Sequence, residues 1–369
     1  MSMKKTRNSR SLPDDLIMEI LSRLPVKTLL RFKSASKSLL NLIIRSEFVK
    51  LHLCRSLIRN SSTILLLSSD ETFLASFDLD HLQCPPVRLD THPDVKKYNR
   101  LPRIIGTCNG VVCFKNDKDY VLYNPATRAY KKVPIRVIRP GSSHSTSFQE
   151  VFAYDCVSDD FKIFRFINYF NETDQTGSET YLYSLKDNSW STIKSPPQDY
   201  RGHIYCTCIA NNFLYWRNNN YDSKNTRVMR LDLSSHNYEE ISLPIRVEGL
   251  WNIRLGVLNG RLHLMDQEFG LDIWMLKEDK CWTRVFHSSD SEYMDFLSSH
   301  SMTDYSLGPY AYSKDGRKII IGDLRVYKKV ICCDLESQTL SVIQVLGLPE
   351  GVNFTVIPLP WTESLLLLA

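Results

Sequence analysis

Hydrophobic residues change their spacing once along this chain. Between residues 11 and 50 they recur at helical intervals, with Leu16, Ile17, Ile20, Leu21 and Leu24 in the first run. Ser11 stands where a helix cap is wanted. Pro13, Asp14 and Asp15 suit a first turn, because its amides have no partner inside the helix and acids complement them. Pro25 breaks the run. A second short helix follows with Leu29, Leu30 and Phe32, then a third with Ala35, Leu39, Leu42 and Ile43. Chains below roughly 40 residues seldom bury enough apolar surface alone. These three helices carry more apolar side chains than they can hide, so the pattern predicts a surface that a partner covers.

From Thr63 onward short β-branched and aromatic runs alternate with Asn, Asp, Gly and Ser turns, which predicts strands. One unit recurs. An apolar run ends in a mostly polar residue, a mostly aromatic anchor follows six positions later, and an aliphatic residue comes three after that. The copies are Asn124–Tyr130–Val133, Ser184–Trp190–Ile193 and Asp232–Tyr238–Ile241, with looser ones at Leu276–Trp282–Val285 and Asp334–Leu340–Ile343. A degenerate first copy starts at Asp78, so successive starts lie 44 to 60 residues apart. Each later copy has an upstream hairpin turn, at Asn109-Gly110, Asp159-Asp160, Asn211-Asn212, Asn259-Gly260 or Asp315-Gly316. Four antiparallel strands per unit, repeated six times, predict a β-propeller of about six blades. Closing the ring requires a strand from the far end, either 353–357 or the leucine-rich tail. The fold class is α+β and mainly β: a basic tail over 1–10, a three-helix module over 11–52, a connector over 53–62 and the propeller over 63–369.

Charge sharpens this division. The first 60 residues carry 13 Lys or Arg against 4 Asp or Glu, and the remainder 33 against 37. A basic head on a mildly acidic body suits an acidic partner, and charge alone does not choose which kind. None of the ten cysteines forms a CxxC pair, and the spacings of Cys206 with Cys208 and of Cys332 with Cys333 do not suit zinc, so reduced buried thiols are expected. No run approaches the ~20 apolar residues of a membrane span, and no secretory h-region opens the chain. A soluble chain in a reducing compartment, cytoplasmic or nuclear or both, is the expectation.

Specific residues carry a family likeness. Leu12-Pro13-Asp14-Asp15-Leu16, Ile20-Leu21, Leu24-Pro25-Val26-Lys27, Leu29, Arg31-Phe32-Lys33 and Ser36-Lys37-Ser38 together resemble the F-box of plant F-box proteins. Gly106-Thr107-Cys108-Asn109-Gly110 with Tyr123-Asn124-Pro125-Ala126-Thr127-Arg128 is similar to the first signature of the F-box-associated, kelch-like domain. Tyr154-Asp155 with Asp159-Asp160-Phe161-Lys162-Ile163 resembles the second, and the stretches around Trp190 and Asp272–Leu276 resemble later ones. The resemblance implies a non-catalytic substrate-recognition subunit of a Skp–cullin–F-box ubiquitin ligase. By it, Leu12, Pro13, Leu16, Ile20, Leu24, Pro25, Leu29 and Phe32 line or support the interface with a Skp-family adaptor, which hangs on a cullin, and the propeller holds a protein target. Leu39 departs from the family, which usually has Trp there. The alternative is a protein-interaction module that acts without ubiquitin transfer.

Catalytic patterns do not emerge from the sequence. There is no P-loop, no Gly-x-Ser-x-Gly elbow and no His-Glu-x-x-His. Asp159-Asp160 reads as a turn, His263 as a structural strand residue, and the anchors Tyr130, Trp190, Tyr238 and Trp282 as blade packing rather than a base-stacking platform. No cofactor, nucleic acid or membrane is expected. Loop length locates the target face. In a blade the first-to-second and third-to-fourth turns share one face and are short here, whereas 135–150, 167–179, 217–226 and 287–307 read as long loops on the other. Arg139, His144, Tyr169, Phe170, Arg217, Tyr221, Tyr293 and Phe296 are the expected target contacts, since aromatics and Arg make good interface anchors.

Overall fold

The computed structural model describes residues 12–368, apart from 60–62, 69–73, 90–102, 138–144, 171–174, 198–202, 220–226, 245–252, 279, 304–306, 323–328 and 347–353. The helical module has four helices rather than three: α1 (Asp14–Leu21), α2 (Val26–Ala35), α3 (Lys37–Ile43) and α4 (Ser46–Arg59). Helix α4 runs across the expected boundary at residue 52, so most of the expected connector is helix. Its Phe48 and Leu53 are buried, and Phe48 joins Leu21, Val26, Leu29, Leu42 and Ile43 in one core. Pro13 is the residue before α1, and Pro25 the residue before α2. Ser36 separates α2 from α3 and caps α3 by accepting the Leu39 amide at 3.4 Å. Ser11 lies outside the described residues.

Six four-stranded antiparallel sheets follow. Blade 1 orders β24 (Phe354–Pro360), β1 (Thr63–Ser68), β2 (Leu74–Asp78) and β3 (Val87–Leu89). Blade 2 is β4 (Arg103–Cys108), β5 (Val111–Lys115), β6 (Asp119–Tyr123) and β7 (Tyr130–Pro134). Blade 3 is β8 (Ser145–Asp155), β9 (Asp160–Phe170), β10 (Gln175–Ser184) and β11 (Ser189–Ile193). Blade 4 is β12 (His203–Ala210), β13 (Phe213–Asn219), β14 (Arg227–Asp232) and β15 (Tyr238–Ile241). Blade 5 is β16 (Ile253–Leu258), β17 (Arg261–Asp266), β18 (Leu271–Leu276) and β19 (Trp282–Ser288). Blade 6 is β20 (Gly308–Tyr312), β21 (Lys318–Gly322), β22 (Lys329–Asp334) and β23 (Thr339–Gln344). Strands β4, β8, β12, β16, β20 and β24 adjoin one another around the axis. The C-terminal β24 therefore closes the ring by pairing with β1, Leu65 opposite Ile357.

The repeat seen in the sequence has a local cause. Asp78, Asn124, Asp232 and Asp334 each accept the amide two residues on, at 2.9, 3.0, 2.8 and 3.1 Å. This Asx turn starts the reversal into the outer strand. Four positions after five of the six starts sits a left-handed residue: Arg128, Asn188, His236, Lys280 and Gln338, with φ between 50° and 63°; the degenerate copy at Asp78 lacks it. The anchors then stitch blades together. Trp190 Nε1 donates to Pro134 O at 3.1 Å, Tyr238 OH to Lys194 O at 2.9 Å, and Trp282 Nε1 to Ser242 O at 2.8 Å, in each case reaching the end of the preceding blade's outer strand. Tyr130 is the looser case, half exposed at the start of β7. Apolar clusters fill the spaces between blades, as Phe164, Phe166 and Leu182 pack on Leu214, Trp216 and Met229.

Three turn assignments hold in detail and one does not. Asn109-Gly110, Asn211-Asn212 and Asn259-Gly260 have positive φ at both positions, which the tight hairpin turn demands. Asp155 pairs with Asp160, so the second hairpin turns through residues 156–159 and not at Asp159-Asp160. Cys113, Cys332 and Cys333 are buried thiols as expected, whereas Cys54, Cys84, Cys156 and Cys281 are exposed.

Candidate interaction surfaces

Helix α1 and the two residues before it divide their apolar side chains between two jobs. Ile17, Met18 and Leu21 turn inward onto the helical core, together with Leu24. Leu12, Leu16 and Ile20 recur every fourth residue and are 56%, 51% and 54% exposed. Pro13 and Pro25 are also exposed. A stripe of three aliphatic side chains, each half or more in water, is an exposed apolar patch of the kind that marks interaction surfaces. Leu29 takes the supporting position: it is fully buried and holds the module from within, while Leu24 and Phe32 are partly buried against the same core. Leu39 packs on that core too.

Polar contacts hold α1 in place behind the stripe. Arg55 on α4 reaches Glu19 through a carboxylate contact, the Glu19 carbonyl at 3.0 Å and the Ser22 hydroxyl. Arg55 and then Arg23, at 2.6 Å, hold the Glu19 carboxyl below its ordinary range. His52, buried, donates from Nε2 to Leu24 O at 2.9 Å, and its burial pushes its pKa down. The turn between α1 and α2 is thus pinned by α4.

The helical module sits on the short-turn face of the propeller. Ala126, in the turn from β6 to β7, packs on the helical core, and Lys50 pairs with Asp159, in the turn from β8 to β9, at 2.6 Å. The Lys50 contact, with the Tyr154 hydroxyl, lowers the Asp159 carboxyl from its ordinary pKa. The C-terminal ends of β9 and β13 and the connection leaving β19 therefore lie on the opposite face. That face differs from the expectation. Segment 287–307 contains helix α5 (Asp290–Ser299), begun by a capping box between Ser289 and Glu292. Tyr293 is buried on α5 and accepts Gln267 Nε2 at 2.8 Å, so it is core and not an open contact. Phe296 is partly buried in the same cluster, 4.6 Å from the His300 ring. Arg217 belongs to β13 and is 1% exposed, with Nη1 donating to Ile253 O at 3.0 Å. Tyr169 and Phe170 end β9, because blade 3 has strands of ten and eleven residues that extend through most of the expected loop. Tyr169 OH donates to Glu179 at 2.9 Å. Arg139, His144 and Tyr221 lie outside the described residues. Sequence reading passed over Phe269, 80% exposed in the turn from β17 to β18, and Met294, 47% exposed on α5. The only signal was an aromatic next to Gly270 in a polar turn.

The buried charges are scaffold. Glu150 is enclosed between blades 2 and 3, where Lys115 Nζ lies 2.6 and 2.8 Å away and Tyr120 OH donates at 2.6 Å. Arg165 approaches Glu150 at 3.4 Å and donates to Arg136 O at 2.6 Å. Burial would raise the Asp155 carboxyl. Lys162 Nζ at 2.7 Å, with the Ser158 and Ser234 hydroxyls, outweighs it and holds the group well below its ordinary range. Both sets tie neighbouring blades together, and in the first Arg165 Nε has only its 3.4 Å ion pair with Glu150 and no hydrogen bond. Among the described residues no group of three His, Cys, Asp or Glu could hold a metal ion.

A helical module with an uncovered aliphatic stripe, seated on one face of a six-bladed propeller, defines a two-domain binding protein. Residues 10–51 match the F-box domain, and residues 61–354 match the F-box associated beta propeller domain. The chain belongs to the family of F-box proteins with an associated propeller. It is 29% identical to F-box protein CPR1 of Arabidopsis thaliana, over 93% of this chain and 86% of that one. It is 28% identical to F-box protein At4g22390 of Arabidopsis thaliana, over 89% and 85%. An F-box/kelch-repeat protein of the same plant, At3g23880, is 27% identical over 73% of this chain and 76% of its own length. Among solved structures, an oligogalacturonate lyase in complex with manganese is similar over 78% of this chain and 75% of that chain, with a TM-score of 0.45 and 10% identity.

Proposed function

We propose that this protein is the substrate-recognition subunit of a Skp–cullin–F-box ubiquitin ligase, acting in the cytoplasm, the nucleus or both. The F-box binds a Skp-family adaptor, the adaptor joins a cullin, and the propeller holds a target protein for ubiquitination. The chain itself supplies no catalytic step. The observation that carries the reading is the half-exposed stripe of Leu12, Leu16 and Ile20 on a module whose sequence matches the F-box domain. The basic residues around it steer an acidic partner, but exposed ion pairs are worth under about 1 kcal/mol while burying an aliphatic side chain is worth roughly 1.5 to 3.

Co-purification with a Skp-family adaptor tests this. Leu12→Ala with Pro13→Ala weakens capture more than Lys33→Ala does. Equal recovery of the double variant and the wild type would show that this stripe is not the interface. A second reading has one observation in its favour: Leu39 is spent on the helical core, where the family usually presents Trp. In that reading the chain is an interaction module that works without ubiquitin transfer. Adaptor capture that appears only with Leu39→Trp would select it.

A further inference from the structure

We infer that residues 361–368 form a splint that locks the F-box onto the propeller, with Asn124 as its grip. This segment lies beyond both matched domains, which end at residues 51 and 354. It follows the closing strand β24: Trp361 N still donates to Thr63 O of β1 at 2.9 Å, and residues 362–368 belong to no strand. Its side chains are divided among three separate cores. Trp361 packs with Leu65, Val112 and Phe114 of blades 1 and 2. Leu365 enters the helical core beside Leu21, Leu29 and Phe48. Leu366 and Leu368 return to the cluster between blades 2 and 3. One short extended stretch thus fills the F-box interior from below and the propeller from above.

The propeller has a fitted seat for it. Asn124 is fully buried. Its Nδ2 faces Ser364 O at 3.1 Å, Ser364 Oγ at 3.1 Å and Leu366 O at 2.9 Å. Its Oδ1 is already occupied by the Ala126 amide at 3.0 Å, so the same side chain makes the turn and holds the tail. Thr127 Oγ1 donates to Leu366 O at 3.4 Å. Gly110 leaves the necessary room, since a Cβ there would lie 2.7 Å from both Ser364 Oγ and Thr362 O. Two parts of one sequence signature, Gly110 and Asn124, therefore converge on a segment about 240 residues away in sequence. The other described links between the domains are weaker: Ala126 adds only a methyl group to the helical core, and the Lys50–Asp159 pair is about half exposed at both ends, where screened pairs contribute little. In the receptor reading, on which this consequence rests, the splint fixes the distance from adaptor to target.

The test needs neither adaptor nor target. Asn124→Asp keeps the Oδ1 acceptor and the turn but removes the donor. Leu365→Ser keeps the seat but removes the plug. In the full-length chain, hydrogen exchange of the 361–368 amides should quicken by about tenfold or more in both variants. Small-angle scattering should show the maximum dimension increasing as the F-box swings free, while amides of β16–β22 keep their protection and report an intact propeller. Unchanged tail exchange and an unchanged scattering profile in both variants would overturn the splint, and so would a freed tail with the F-box still fixed. Loss of β16–β22 protection in either variant would also overturn it, because the tail would then be part of the propeller's own core. If the splint behaves as inferred and the adaptor is still not captured, only the receptor reading falls.

Discussion

His263 sits on β17 with no exposed surface, and its burial pushes its pKa down to about 4. The Arg261 carbonyl, at 3.0 Å from Nδ1, can only accept, so Nδ1 carries the proton and Nε2 accepts from Tyr312 OH at 2.9 Å. The folded chain takes up a second proton less readily than the unfolded chain. The stability this contributes is present above pH 6.5 and is lost as pH falls toward 4, to a total of roughly 3 kcal/mol. Asp266, raised to about 6 mainly by burial, works in the opposite direction over the same range. Urea unfolding at pH 7 and pH 4.5 should therefore show a larger loss for the wild type than for His263→Gln, and equal losses would remove His263 as the acid-sensitive group. Leu29 and Leu16 separate packing from docking on the same module. Leu29→Ala should cost about 2 to 5 kcal/mol of stability, while Leu16→Ala should leave unfolding almost unchanged and weaken adaptor capture.

Two hairpins with the same backbone geometry have different surroundings. Gly110 and Gly260 both follow an Asn of positive φ, with their own φ at 79° and 73°. A Cβ at Gly260 would meet nothing within 4 Å, whereas one at Gly110 would strike the tail at Thr362 and Ser364. Gly260→Ala should then cost only the left-handed penalty of about 1 kcal/mol. Gly110→Ala should cost distinctly more, as read from urea midpoints, and the excess should vanish in a chain ending at residue 360. Helix α5 shows why a long segment is not always an open loop. Its capping box, Ser289 with Glu292, and the apolar pair Tyr293 and Leu297 at i,i+4 give it a start and a buried face. That pair is spent on the propeller core, which leaves Phe269 and Met294 as the exposed apolar residues beside it.

Ring closure makes the whole propeller depend on its last strand. Removing residues 354–369 strips β24 from β1 and opens blade 1, so the product should lose cooperative unfolding and become protease-labile. Removing only 361–369 should leave the ring closed and cooperative while freeing the helical module. Thermal unfolding followed by circular dichroism distinguishes the two truncations. Cooperative, native-like melting of the shorter chain would contradict closure through β24. The F-box on the short-turn face leaves the opposite face of the propeller clear of it, so in the receptor reading a target held there would not compete with the adaptor.

The local elements were legible because their causes are local. A turn-starting residue, a left-handed residue four positions on and an anchor at six recur whether or not the ring closes, which is why five of the six copies stand out in the sequence and Asp78, which starts the same Asx turn, is recognisable once they are aligned. Asn-Gly turns and α1 periodicity belong to the same class. The division of α1 into Leu12, Leu16 and Ile20 outside and Leu21 inside was not legible, since both sets are aliphatic and only the packing of α2, α3 and α4 decides which face is covered. Arg217 and Tyr293 misled for a related reason: an Arg or Tyr near a predicted loop looks like an anchor until Ile253 O or Gln267 is found waiting for it inside. The tail is the extreme case. Its leucines suggest a strand, but their partners are Asn124, Gly110 and the F-box core, contacts that exist only after the ring has closed and brought the two ends of the chain together.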